Sequence, residues 1–254
     1  MGLAPILAPF LGGWILLAAG WRAIFLALAL FGLACLAGVW RYLPETRPVN
    51  IPASGGVGAA LRGYGQILRD RRFIGYAFAG GFAQAGMFAY ITGSPHVFID
   101  IYGVPAHHYG WLFGLNAVGL IASSQYNRRL LRHESADSIL RRANRWTVVA
   151  GLLLLAVAVI GWGGLPALLI PLLVYLVSIG FTAPNAMANA LAHQGARAGS
   201  ASALIGTLQF GVATAASMLV GLLGHGSALP MATVIAGCGL LAYGVHRTLI
   251  DGQR

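Results

Sequence analysis

The sequence predicts an all-helical, polytopic membrane protein with about eight transmembrane helices, and three observations predict it. Of the 254 residues, 58% are hydrophobic and only 9% charged, whereas a soluble domain carries about a quarter charged residues. Several apolar runs reach the roughly 20 residues needed to cross a bilayer, and mean hydropathy is +0.76. The sixteen basic residues are all arginine and stand mostly in short segments between those runs. The net charge of +10 is therefore not gathered on a soluble domain, and a nucleic-acid partner is not expected.

Hydropathy and Pro/Gly punctuation place the spans at Gly2–Gly20, Trp21–Trp40, Phe73–Gly93, Gly110–Asn127, Trp146–Gly164, Leu165–Phe181, Ala201–Gly224 and Ala228–His246. The first opens with LAPILAPFLGG, where Pro5, Pro9, Gly12 and Gly13 interrupt an apolar run. Prolines there remove backbone donors and kink a helix, and glycines admit a neighbouring backbone. The third carries Ala77, Gly81 and Ala85 four residues apart, and the seventh Ser217 and Gly221. In lipid, helices associate through such small-residue faces, because acyl chains already satisfy apolar side chains.

Arginine gives the spans a direction. With strict alternation and the N-terminus inside, fifteen of the sixteen arginines fall in inner segments and only Arg22 lies outside. One span more or fewer would scatter them, so the positive-inside rule supports both the count and cytoplasmic termini. The chain then divides into residues 1–41 with two helices, a cytoplasmic linker over 42–72, and residues 73–254 with six helices. The linker begins RYLPETRPVNIPASGG, whose prolines stop a helix. LRGYGQILRDRRF follows, with Leu61, Tyr64 and Leu68 at helical spacing, and reads as an amphipathic segment on the inner membrane surface, with a solvated loop carrying anchoring charge as its alternative.

Polar groups within spans single out candidate functional residues, because an amide buried without a partner costs a few kcal/mol. Gln84, Asn116 and Gln209 lie toward span interiors, accompanied by Phe88 and Tyr90, Phe113 and Phe210. Gln84, Phe88, Tyr90, Asn116 and Gln209 are therefore candidates to line an amphiphile-sized cavity, each amide having an interhelical hydrogen bond as its alternative. All six acids, Glu45, Asp70, Asp100, Glu134, Asp137 and Asp251, read as loop or tail residues, so no carboxylate is expected at mid-membrane. The seven histidines fall at span ends or in loops, and neither metal-ligand spacing nor a Ser/His/Asp arrangement occurs. Cys35 and Cys238 stand far apart within apolar runs and read as small buried hydrophobes. No enzyme, metal or cofactor is expected.

The stretch APILAPFLGGWILLAAGWRAIFLALALFGLACLAGVWRYLPET resembles the fifth and sixth helices of major facilitator superfamily drug:proton antiporters, and among them the bicyclomycin-resistance (Bcr/CflA) subgroup. Ala8-Pro9-Phe10-Leu11-Gly12-Gly13 is similar to the G-P-x-x-G-G antiporter motif, with Ala8 for the usual glycine. RDRRFIGYAFAGGFAQAGMFAYITGSPHVFIDIYG resembles the seventh helix, FGLNAVGL the eighth, and GFTAPNAMANAL with GARAGSASALIGTLQFG the tenth and eleventh. NRRLLRHESADSILRR resembles the second-half echo of the signature loop, keeping Asn127, Arg128 and Arg129 but departing at HESA.

The resemblance implies a partial major facilitator fold: the last two helices of an N-terminal half and a six-helix C-terminal half. It implies a bend at Pro5, Pro9, Gly12 and Gly13 that seals the path against ion leak. It also implies efflux of amphiphilic drugs from the cytoplasm in exchange for protons, in a bacterial inner membrane and by alternating access. The proton gradient would be the energy source, and the partners would be the lipid bilayer, a small amphiphilic drug and four N-terminal helices of the same carrier. A truncated non-transporting fragment, and a carrier of a sugar or metabolite, are the alternatives. The arginine asymmetry predicts that a single cysteine placed beside Arg141 stays unlabelled by a membrane-impermeant maleimide in intact cells and reacts once the cells are opened.

Overall fold

The computed structural model describes residues 4–44, 56–224 and 226–253, and their regular structure is entirely helical. Among the described residues nine α-helices follow in order: α1 Ala4–Ala19, α2 Trp21–Tyr42, α3 Gly56–Leu68, α4 Arg71–Pro95, α5 Ala106–Leu130, α6 Ala136–Ile160, α7 Gly164–Leu191, α8 Ala198–Leu222 and α9 Leu229–Val245. Each of the eight expected spans falls on one helix, and α3 is the segment before the third. Among the described residues, five stretches are long and apolar enough to cross a membrane: α2, α6, α7, α8, and Leu229–Ile250, which extends α9. α4 and α5 are as long as α6 but are diluted by glycines, histidines and amides. Several helices outrun their apolar windows, α7 reaching Leu191 and α6 starting at Ala136, because backbone hydrogen bonding continues where hydropathy falls.

The chain forms two compact units, Met1–Gly56 and Val57–Arg254. In the first, α1 packs against α2. The helix α1 runs unbroken through Pro5, Pro9, Gly12 and Gly13. A Cβ built on Gly12 or Gly13 would meet nothing within 4 Å. Trp14, Leu17, Phe31 and Trp40 stand exposed.

In the second unit α4 packs against α7, α8 and α9, while α6 packs against α7 and α9 and α5 against α7. Asp70 starts α4 by accepting hydrogen bonds from the amides of Arg72 at 3.0 Å and Phe73 at 3.2 Å. The expected stripe of Ala77, Gly81 and Ala85 is buried. Gly86 shows why small residues are needed: a Cβ there would sit 2.0 Å from Tyr175 Oη. That tyrosine is buried on α7 and donates its hydroxyl to the Ala83 carbonyl of α4 at 3.1 Å. Gly180 of α7 repeats the device against α5, where a Cβ would lie 2.0 Å from Ser123 Oγ and 2.7 Å from the Leu120 carbonyl.

On α3 Ile67 docks, packing with Phe73, Ala77, Ala190, Ala201 and Ile205, while Leu68 is exposed and Tyr64 half-buried; the side chain of Leu61 lies outside the described residues. One expected face is corrected. On α8 Gly221 is exposed, and a Cβ there would meet nothing within 4 Å. The buried face of that helix is Ala213, Ala216 and Val220, one helical step away. Four-residue spacing of small residues is necessary for a contact face but does not choose the side of the helix.

Substituting Gly86 by alanine is expected to lower the stability of the folded chain in detergent by about 1–3 kcal/mol, the usual penalty for overpacking. Gly206→Ala, where a Cβ would meet nothing within 4 Å, is expected to leave it unchanged. Thermal melts followed by tryptophan fluorescence distinguish the two.

Candidate functional site

The five candidate lining residues separate into two groups. Tyr90 of α4 and Asn116 of α5 are both buried, and Asn116 Nδ2 donates to Tyr90 Oη at 3.1 Å. Tyr90 stacks on Phe113 with ring centroids 5.7 Å apart and lies 6.3 Å from Phe98. Tyr109 continues this aromatic cluster, 6.1 Å from Phe113 and also 6.1 Å from Phe98, and its hydroxyl pairs with Ser94 Oγ at 2.9 Å. Asn116 thus spends its amide on an interhelical bond, the alternative that sequence left open for it. The pair fixes α4 to α5 with a tyrosine between them.

The second group lies between α4 and α8. Phe88 meets Phe210 edge-on with centroids 5.8 Å apart. Gln209 lies against the glycine pair of α4: a Cβ on Gly80 would be 3.5 Å from its Nε2, and one on Gly81 would be 3.4 Å from its Cγ. Gln84 shares the α4 face of Gly80, Gly81 and Phe88 by its three- and four-residue spacing from them. Gln84, Phe88 and Gln209 are half-buried and Phe210 is 59% exposed. Neither glutamine makes a side-chain hydrogen bond among the described residues. Two aromatic rings and two amides on one partly open helix pair can offer an amphiphile both ring contact and hydrogen bonds.

A polar network at the opposite ends of α4, α6 and α9 escaped the sequence reading. Asp137, expected in a loop, stands in the first turn of α6 and is buried. Its carboxylate accepts from Tyr76 Oη of α4 at 2.8 Å and pairs with Arg141 at 3.3 Å. Arg141 also pairs with Asp251 at 2.9 Å. The expected terminal histidine, His246, is wholly buried beside Asn144, at 3.4 Å. Helices that outrun the apolar windows carry these residues into contact, and a carboxylate in a first helical turn also meets the positive end of the helix dipole. Glu134 pairs with Arg142 nearby, but on an exposed surface.

A third connection joins two of the quoted motifs. Asn185 Nδ2 of α7, from TAPNAMANAL, donates to Asn127 Oδ1 near the C-terminal end of α5 at 2.8 Å, and both residues are buried. Asp70, besides capping α4, accepts from Gln194 Nε2 at 3.0 Å. The spacing of residues within either motif carries no sign of these pairings, which link positions 58 and 124 residues apart.

The sequence profile of the Major Facilitator Superfamily matches residues 1–218. The chain belongs to the major facilitator superfamily. It is accordingly a multi-pass membrane protein of a transporter superfamily. The chain is 36% identical over 237 residues to the MFS-type transporter YdgK of Bacillus subtilis, covering 92% of this chain and 58% of that protein. It is 32% identical over 244 residues to the bicyclomycin resistance protein homolog of Haemophilus influenzae, covering 95% of this chain and 61% of the homolog. Over 121 residues it is 33% identical to the multidrug transporter MdfA of Yersinia pestis, 46% of this chain and 29% of that one. The chain thus spans about three-fifths of the length of the first two relatives.

Within this major facilitator chain, Arg141 bridges two acids and is 30% exposed, whereas Arg142 pairs with one and is 51% exposed. Removing a partner from a buried pair is costly because a desolvated charge is left behind, while exposed pairs contribute about 0–1 kcal/mol. Arg141→Gln is therefore expected to lower the melting temperature clearly, and Arg142→Gln to leave it nearly unchanged. Adding Asp137→Asn to Arg141→Gln is expected to restore part of the loss.

Proposed function

We propose that this chain forms the larger part of a drug:proton antiporter of the bicyclomycin-resistance (Bcr/CflA) subgroup. It would export amphiphilic compounds from the cytoplasm by alternating access. The observation that carries this reading is the 32% identity to a bicyclomycin resistance protein homolog across 95% of this chain. In this reading residues 1–41 are the last two helices of the N-terminal half, 42–72 the linker, and 73–254 the C-terminal half, with four further helices completing the carrier. Fifteen of sixteen arginines then face the cytoplasm, and both termini lie there, in a bacterial inner membrane.

The α4–α8 face supplies the substrate contact. Phe88 and Phe210 offer rings to an aromatic or cationic amphiphile, and Gln84 and Gln209 offer amides that are not committed to another side chain. Tyr90 and Asn116 stand behind this face and hold α5 in register with α4. Rocking of one half against the other exposes the face to either side in turn. The described acids, Asp70, Asp100, Glu134, Asp137 and Asp251, all stand at helix ends or in the connections between helices. Proton coupling is therefore assigned to the helices that complete the carrier, and the proton gradient is the only energy source invoked. Pro5, Pro9, Gly12 and Gly13 keep the structural role of the antiporter motif.

Export of a lipophilic cation from cells carrying the complete transporter tests this. Phe88→Ala is expected to weaken export of aromatic substrates about fivefold, the equivalent of one lost aromatic contact of about 1 kcal/mol. An uncoupler is expected to abolish export altogether. Unchanged drug accumulation with and without the transporter would instead identify a carrier of other cargo or a non-transporting fragment.

A further inference from the structure

A cavity of the second unit lies away from the α4–α8 face. It is a groove of about 490 Å³ between α5, α6 and α7, walled by Tyr126, Arg142, Trp146, Val174, Val177 and Phe181 among others. Beside it lies a recess of about 820 Å³ lined by Gln125, Arg128, Arg129 and Arg132, and Tyr126 borders both. The groove is apolar, and the recess is cationic. Between residues 128 and 145 there are six arginines and two acids. Glu134 is taken by Arg142, and Asp137 by Arg141. Arg129 and Arg132 make no ion pair among the described residues, so the recess keeps its positive charge.

Depth identifies what meets this pair of cavities. On α6 the exposed residues Trp146, Val149, Leu153 and Ile160 recur at helical spacing, which is the pattern of a face turned to acyl chains. The rise from Arg142 to Ile160 is about 27 Å at 1.5 Å per residue, close to the roughly 30 Å of a hydrocarbon core. Trp162, just beyond, is 83% exposed. Trp146 and Trp162 therefore mark the two interfaces, as tryptophans in aromatic belts do. Arg142 and the recess then lie at headgroup level, with the groove running from there into the hydrocarbon.

We propose that the α5–α6–α7 groove and the adjoining recess form a binding site for one anionic glycerophospholipid of the leaflet that meets these helix ends. An acyl chain lies in the groove against Trp146, Val174 and Phe181. The phosphate lies in the recess on Arg129 and Arg132, whose guanidinium groups suit the oxygens of a phosphodiester. Tyr126 stands where glycerol would join the two. A free phosphate would use only the recess and a neutral lipid only the groove, whereas an anionic phospholipid satisfies both. The site rests on the reading that these helices lie in a bilayer and is independent of the cargo.

The test reconstitutes the full chain in phosphatidylcholine vesicles containing increasing fractions of brominated phosphatidylglycerol or brominated phosphatidylcholine. Quenching of Trp146 is obtained as the difference between the chain and its Trp146→Phe variant. Half-quenching is expected at a brominated phosphatidylglycerol fraction at least fivefold below that for brominated phosphatidylcholine, since each interfacial arginine contributes about fivefold. Arg129→Gln with Arg132→Gln is expected to bring the two curves together, and the paired lysine substitutions to keep them apart. Val174→Phe, which narrows the groove without touching the charge, is expected to reduce the difference. Equal curves in the unsubstituted chain would overturn the site, as would a preference that survives the paired glutamine substitutions. Quenching by neither lipid would overturn it together with the bilayer reading.

Discussion

The second unit depends on close approach along α4. Within a bilayer an apolar side chain gains little by leaving lipid for a helix interface, so packing has to come from fit. α4 meets that constraint with alanine and glycine on the faces toward α7, α8 and α9, and the larger residues come from its neighbours. Tyr175 is the clearest case. It is wholly buried, its ring is accommodated only because residue 86 of α4 has no side chain, and its hydroxyl is satisfied by the Ala83 carbonyl of α4. A buried phenol without that carbonyl would be an unpaired donor in a medium that offers no water.

Sequence made the fold legible wherever one helix could be read alone. The apolar windows located eight helices, and Ala77, Gly81 and Ala85 marked a real contact face. What failed was anything that needed a second helix. Ser217 and Gly221 have the same spacing as the α4 stripe, yet the buried side of α8 is Ala213, Ala216 and Val220. Leu68 and Ile67 are adjacent and equally apolar, and only docking against Phe73 and Ala201 selects Ile67. Asp137 and His246 read as loop and terminal residues because hydropathy averages over a window and stops at charges. Helices do not stop there. A carboxylate with Arg141 one turn away on one helix and Tyr76 on another is cheap to carry into a helix end, and no local signal in the chain announces those partners.

The candidate site was legible only in its composition. The sequence set Gln84, Phe88, Tyr90, Asn116 and Gln209 together as amides with aromatics nearby. In space Tyr90 and Asn116 pair with each other between α4 and α5, while Phe88 of α4 and Gln209 of α8 lie between those two helices, with Gln84 one turn from Phe88 on α4. The reason is helical phase: Phe88 and Tyr90 are two residues apart, about 200° around the helix, so they cannot share a face.

That division also separates rigid from exchangeable parts. Three buried polar side chains of the second unit are tied across helices: Asn127 to Asn185, Asp137 to Tyr76, and Asn116 to Tyr90. Each tie is expensive to break, because the partner left behind has no water to turn to. A unit held in this way moves as a body. The amides of Gln84 and Gln209 are half-buried and bonded to no other described side chain, so a visiting molecule can take up their hydrogen bonds and release them again without any tie within the unit having to break. A surface with that property suits transient binding, and the ties around it suit the proposed rocking of one half against the other, in which the unit would present that surface to either side without deforming it.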